Sequence, residues 1–189
     1  YEFPELILDK IETVWRFDDQ EAAQKLSARM TKEQISLWAV LNVSSQVCNG
    51  GFSQALFNSE GELAEEAIHG LRLFGLSREA EIFEEAWNIF GVRPIPKNRD
   101  ERMDQLDKLT SVDTSSSVFS SLIEYAFTIF KRAPADWNAL EEEFYSLMQA
   151  SSDEEGPDAA FYRPISEWIY EHKDRFFITC STSGQTQTK

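Results

Sequence analysis

Apolar residues recur every three to four positions along almost the whole chain, and this spacing predicts helices. Leu6, Ile7, Ile11, Val14 and Trp15 form one such stripe behind Pro4, a residue suited to a first helical turn. Thr31 with Gln34 has the form of a capping box ahead of Ile35, Leu37, Trp38, Leu41 and Val47, a long stripe stopped by Asn49, Gly50 and Gly51. Glu62 to Phe74 predicts a helix closed by Gly75. Ser77 is placed to cap the next, whose Ile82, Phe83, Ala86, Ile89 and Phe90 face inward before Gly91.

Pro94 and Pro96 exclude a regular helix between Gly91 and Asn98, and this stretch is too short to divide two domains. A polar helix near Arg99 to Lys108 and a Ser-rich loop, Thr110 to Ser117, come next. Val118, Leu122, Ile123, Ala126, Phe127 and Phe130 make a strongly apolar stripe, which predicts the central helix. Trp137 to Met148 and Pro164 to Phe177 predict two more helices, separated by the acidic loop Ser151 to Asp158. Strict alternation of apolar and polar residues is missing, so no sheet is expected, and no internal repeat is visible. The expected fold is all-α: a single-domain multi-helix bundle of about eight helices over residues 1–178, followed by a flexible polar tail at 179–189.

Composition supports one core. The 189 residues are 42% hydrophobic with 14 Phe and 5 Trp, enough apolar area to offset the entropy of ordering one domain. No run approaches the roughly 18 to 20 apolar residues of a membrane span. Tyr1 to Arg16 carries acids where a signal peptide would be basic and then apolar, so a cytoplasmic location is expected. Cys48 and Cys180 stand in unrelated contexts, which speaks against a disulfide framework or a metal knuckle. Cys48 reads as a small buried hydrophobe.

Charge is the most informative part of the composition. There are 33 Asp and Glu against 18 Lys and Arg, a formal net of −15. Such a surface repels nucleic acid and acidic membranes and attracts basic partners, although acidity also serves solubility. The excess is concentrated: Glu60 to Phe90 carries −6 and Ala133 to Asp158 carries −8, while the other three stretches carry −3, +1 and +1. The second block, Asp136 to Asp158, contains no Lys or Arg at all.

Candidate chemistry is sparse. The chain has no GxSxG, HExxH, P-loop or GxGxxG. Glu66 and His69 form a Glu-x-x-His pair of the kind found in di-iron bundles, but such sites need the motif twice with two further glutamates, and Ile169 stands three residues before His172. His69 reads instead as a helix C-terminal residue beside the last carbonyls. Gly50-Gly51 lacks the lysine of a phosphate loop and reads as a helix stop with a tight turn. Phe119, Tyr125, Phe127 and Phe130 read as core rather than as a base-stacking platform. No enzyme activity, cofactor or metal is expected.

The stretch Asn49-Gly50-Gly51-Phe52-Ser53-Gln54-Ala55-Leu56-Phe57-Asn58-Ser59 resembles the signature of a bacterial family of small acidic helical proteins that includes a DNA mimic. Leu71 to Gly91, Leu140 to Tyr145 and Ile165 to Phe176 fall in that family's order and rough spacing, so the resemblance spans most of Trp38 to Phe177. It departs at Ala55 and Leu56, where the signature usually has aromatic residues, and again over Gly91 to Ser117. The resemblance implies an all-α fold. It also implies a homodimer that occupies the DNA-binding surface of a transcription factor.

Physics supplies a separate reason. Phosphates repeat every ~3.4 Å of axis along each strand, and carboxylates at helical i and i+3 or i+4 stand about 5 to 6 Å apart. Rows made of Glu62, Glu65 and Glu66, or of Glu81, Glu84 and Glu85, therefore present charge at a comparable spacing. The block Asp136, Glu141, Glu142, Glu143, Asp153, Glu154, Glu155 and Asp158 is the stronger candidate, because no neighbouring cation in sequence cancels it. The bland alternative makes Glu141 to Glu143 a solvated face near a helix N-terminus. The expected partner is a basic DNA-binding protein, a transcription factor or a nuclease, with no direct contact to nucleic acid or membrane. An immunity or antitoxin protein that neutralises a basic toxin is the competing expectation. An enzyme with a cleft around Asn49, Asn58 and His69 is the third.

Overall fold

The computed structural model describes residues 28–111, 122–149 and 159–176. Eight α-helices and one 3₁₀ turn occupy the described residues, which contain no strand. The helices are α1 (Lys32–Phe57), α2 (Ala64–Leu73), α3 (Ser77–Phe90), α4 (Arg99–Thr110), α5 (Leu122–Lys131), α6 (Ala135–Gln149), α7 (Ala159–Glu171) and α8 (Lys173–Phe176), with the 3₁₀ turn at Ser59–Leu63. The all-α expectation holds. The predicted helix around Leu6 to Trp15, the acidic loop and the polar tail lie outside the described residues, as does the Ser-rich loop beyond Ser111.

Local signals account for most boundaries. The Thr31 hydroxyl accepts from Gln34 N–H at 3.1 Å, and the Gln34 side chain accepts from Thr31 N–H at 2.9 Å, which closes the capping box. At the end of α2, Gly75 N–H donates to Arg72 O and Leu76 N–H to Leu71 O, a Schellman motif that needs the left-handed φ of +81° at Gly75. Because Leu76 completes that motif and also starts α3, Ser77 is already helical and is not the predicted cap. Asn98 caps α4 by accepting from Asp100 and Glu101 N–H. Helix α7 starts at Ala159, ahead of the predicted Pro164, since Phe161 is buried with Ile165 and Ile169 and anchors an extra turn.

The central helix is α1 and not the predicted Val118 to Phe130 segment. It packs against the 3₁₀ turn and helices α2, α4, α5, α6 and α8. Leu37, Trp38, Ala39, Val40, Leu41 and Val43 are all buried, so the helix is enclosed on every side over this stretch and shows no single stripe there. An aromatic cluster fills the space beside it: Phe52, Phe83, Trp87, Trp137 and Phe144 stand in edge-on or tilted contact, with Phe161 against Phe144. The indole N–H groups of Trp87 and Trp137 donate to Ala64 O and Ala86 O, so both large rings are buried with their polar atoms satisfied.

The glycine pair does not end the helix. Gly50 (φ −167°, ψ 29°) and Gly51 (φ 74°, ψ −175°) leave helical geometry, and the helix resumes at once through Phe57. The predicted stop is a kink. In an unbroken helix the amides of Gly51 and Phe52 would donate to the carbonyls of Val47 and Cys48. Helix α6 supplies replacements from one face. Phe52 N–H donates to Glu141 Oε1 at 2.8 Å, and the Tyr145 hydroxyl, one turn further on, donates to Val47 O at 2.8 Å. Gln46 Oε1 spans the kink as well, accepting from the side-chain amides of Gln54 and Asn58.

Two expectations about single residues fail. Cys48 is exposed rather than buried, because its turn faces outward just ahead of the kink. His69 is exposed on α2, and the histidine that reaches a helix-end carbonyl is His172, whose Nδ1 lies 2.9 Å from Trp168 O with its ring stacked on that indole.

Candidate functional site

The described acids of the predicted rows sit on the 3₁₀ turn (Glu62) and on α2, α3 and α6, and folding brings arginines to them from distant parts of the chain. Glu65 is gripped by Arg93, both of whose contacts measure 2.8 Å, and Glu65 Oε1 also accepts from Ile95 N–H. Lys97 Nζ stands 3.6 Å from Glu66 Oε1. Glu62 is half-buried in the 3₁₀ turn, and burial pushes its carboxyl above the usual range despite Arg102 and Lys97 nearby. Arg72 pairs with Glu84.

Arg78, in the first turn of α3, gathers three carboxylates. Its Nη1 meets Glu81 Oε2 at 2.9 Å and Glu85 Oε1 at 3.5 Å. Its Nε and Nη2 take both oxygens of Glu143 on α6, at 2.6 and 2.8 Å. That fork holds the Glu143 carboxyl below its ordinary range, and the same contacts raise the guanidinium further above its own.

The three consecutive glutamates of α6 therefore point three ways. Glu141 turns to the kink of α1, Glu143 to Arg78, and only Glu142 is fully exposed. Burial raises the Glu141 carboxyl and the Phe52 amide lowers it, with burial the larger effect. The block without cations in sequence is thus not without them in space, and Glu141 serves the fold. Asp136 is exposed in the first turn of α6. Asp153, Glu154, Glu155 and Asp158 lie outside the described residues.

Ten of the predicted acids are described, against four side chains, Arg72, Arg78, Arg93 and Lys97, that pair with them. The surface keeps a large negative excess, and much of it is held in place by hydrogen bonds rather than left mobile. Three acids that the sequence pattern does not single out add to it: Asp100, Glu101 and Asp104 are exposed at the start of α4. The near-neutral sum of their segment hid them, since Arg99 and Arg102 in the same stretch turn inward. Arg102 is buried and donates to the carbonyls of Leu56, Asn58, Pro96 and Lys97. Desolvation lowers its pKa to about 10. Arg99 donates to Phe57 O and lies over the Phe57 ring, 4.6 Å from its centre.

Among the described residues no three His, Cys, Asp or Glu side chains gather as a metal ion would require, and no helix is long and apolar enough to cross a membrane. What the described residues define is an all-helical protein with carboxylates fixed on its outside by hydrogen bonds. The chain belongs to the DMP19-like protein family, whose profile matches residues 28–172. This is the DNA-mimic family that the Asn49 to Ser59 stretch resembles, and it is not an enzyme family. No curated protein and no solved structure matches the chain significantly.

Proposed function

We propose that this protein is a DNA mimic that occupies the DNA-binding surface of a basic DNA-handling protein such as a transcription factor. It works by occupancy, as a homodimer in the cytoplasm, without turnover. One domain spanning residues 1–178 carries the function. The observation that carries this reading is membership of the DMP19-like family over residues 28–172 in a chain of net charge −15.

The geometry supports it physically. Carboxylates on α2, α3 and α6 project from helices that share one hydrophobic core, so the spacing of their backbones is set by the fold. A cationic groove that docks on them releases counterions much as it does on DNA. Glu62, Glu65, Glu66, Glu81, Glu84, Glu85, Asp136, Glu142 and Glu143 form the proposed surface, joined by Asp153, Glu154, Glu155 and Asp158, which follow in sequence.

The test immobilises the full chain, passes nuclease-treated extract of the native host over it at low salt, and elutes with duplex DNA. The expected result is a basic DNA-binding protein that duplex DNA displaces and whose affinity falls steeply with salt. Retention indifferent to both DNA and salt overturns the reading.

A further inference from the structure

Arg78 sits among the acids of the proposed surface, where a cation is the wrong charge for binding a basic partner. Its contacts suggest why it is there. One guanidinium ties Glu81 and Glu85 of its own helix to Glu143 of α6, and all four side chains are about half exposed. Its five N–H donors have fixed directions, so each carboxylate has one place to be. The group of four still carries a net charge of −2, with the outer faces of the carboxylates open to solvent.

We propose that Arg78 is a positioning residue of the partner-binding face: it gives up one unit of negative charge in exchange for a preorganised set of three carboxylates drawn from two helices. This inference rests on the DNA-mimic reading. Without Arg78 the three glutamate side chains are mobile and mutually repelling, and a partner must freeze them as it binds. With Arg78 that ordering is complete before the encounter.

The two roles that a cation can play here make opposite predictions. If Arg78 merely neutralises, Arg78→Gln makes the face more acidic and tightens binding, and Arg78→Lys changes nothing. If it positions, both variants weaken binding, because a lysine ammonium cannot hold three carboxylates in a planar fork.

The experiment measures the affinity of the full chain for the protein that duplex DNA elutes from the column, using wild type, Arg78→Gln, Arg78→Lys and the control Arg72→Gln. Arg72 pairs with Glu84 alone, so its loss removes the same charge without dispersing a cluster. Positioning predicts a loss of at least about fivefold for both Arg78 variants, and unchanged or tighter binding for Arg72→Gln. Urea midpoints are unchanged throughout, since all four groups are at the surface. Binding by Arg78→Gln equal to or tighter than wild type overturns the positioning role and leaves the mimic reading standing. If wild type retains nothing that DNA displaces, the mimic reading falls and takes this inference with it.

Discussion

Glu141 occupies the space that a side chain on Gly51 would need: a Cβ built at Gly51 would lie 2.2 Å from Glu141 Oε1. The same oxygen accepts the Phe52 amide that the kink releases, so the glycine and the glutamate, 90 residues apart, form one structural unit. The Asn-Gly-Gly-Phe stretch is a receptacle for a carboxylate of its own chain.

Gly51→Ala is therefore expected to be severe. It meets both the Glu141 carboxylate and a backbone conformation (φ 74°, ψ −175°) that is almost confined to glycine, and it should cost about 3 kcal/mol or more in urea unfolding. Gly75→Ala is the matched control. Its φ is also left-handed, but nothing lies within 4 Å of its Cβ, so about 1 kcal/mol is expected. Equal costs at the two sites would contradict the receptacle.

Glu141→Gln keeps an acceptor for Phe52 N–H, whereas Glu141→Ala orphans a buried amide and should cost about 1 to 3 kcal/mol. The pH dependence separates them further. Because burial raises the folded-state carboxyl, the folded protein holds its proton to higher pH than the unfolded chain does. This term favours folding most in acid and is lost as pH rises through the raised value. Wild type should lose stability relative to Glu141→Gln as pH rises above the ordinary carboxyl range and through the raised Glu141 value. A difference that is flat with pH in chemical unfolding would refute the assignment.

Tyr145→Phe removes only the hydroxyl that satisfies Val47 O. It should cost about 1 to 2 kcal/mol in thermal or urea unfolding and leave the helix content of the circular dichroism spectrum unchanged. Burial, reinforced by Glu141 and Cys48, pushes the phenol up to about 12, so the ultraviolet signature of tyrosinate at this residue should appear only near that pH.

Arg102→Met abandons four backbone carbonyls that join the end of α1 to the Pro94–Pro96 connection. A loss of at least about 3 kcal/mol is expected, with Arg102→Lys intermediate because one ammonium cannot reach all four. Glu142→Gln, on the exposed position of α6, should change stability by less than about 0.5 kcal/mol while weakening partner binding and reducing its salt dependence.

Much of the fold was legible along the chain because helical periodicity, caps and breakers are local. The Thr31–Gln34 box, Gly75, Gly91 and the proline connection all act within a turn or two of themselves. Pattern failed where burial was uniform. Helix α1 is enclosed on every side between Leu37 and Val43, so the amphipathic stripe near Phe130 looked more central than it is. It failed again at Gly50-Gly51, whose continuation as a kink depends on hydrogen-bond partners in α6.

Residue type and near-neighbour spacing are enough to give the helical class, the acid excess and a break at the glycine pair. Packing in three dimensions selected which carboxylates are paired or buried and which face solvent. Coulomb and hydrogen-bond energies depend on separation in space, and helix packing placed Arg78 on Glu143 and Arg93 on Glu65 across 65 and 28 residues of chain. That packing sent Glu141 to the kink and left Glu142, its neighbour in sequence, facing solvent.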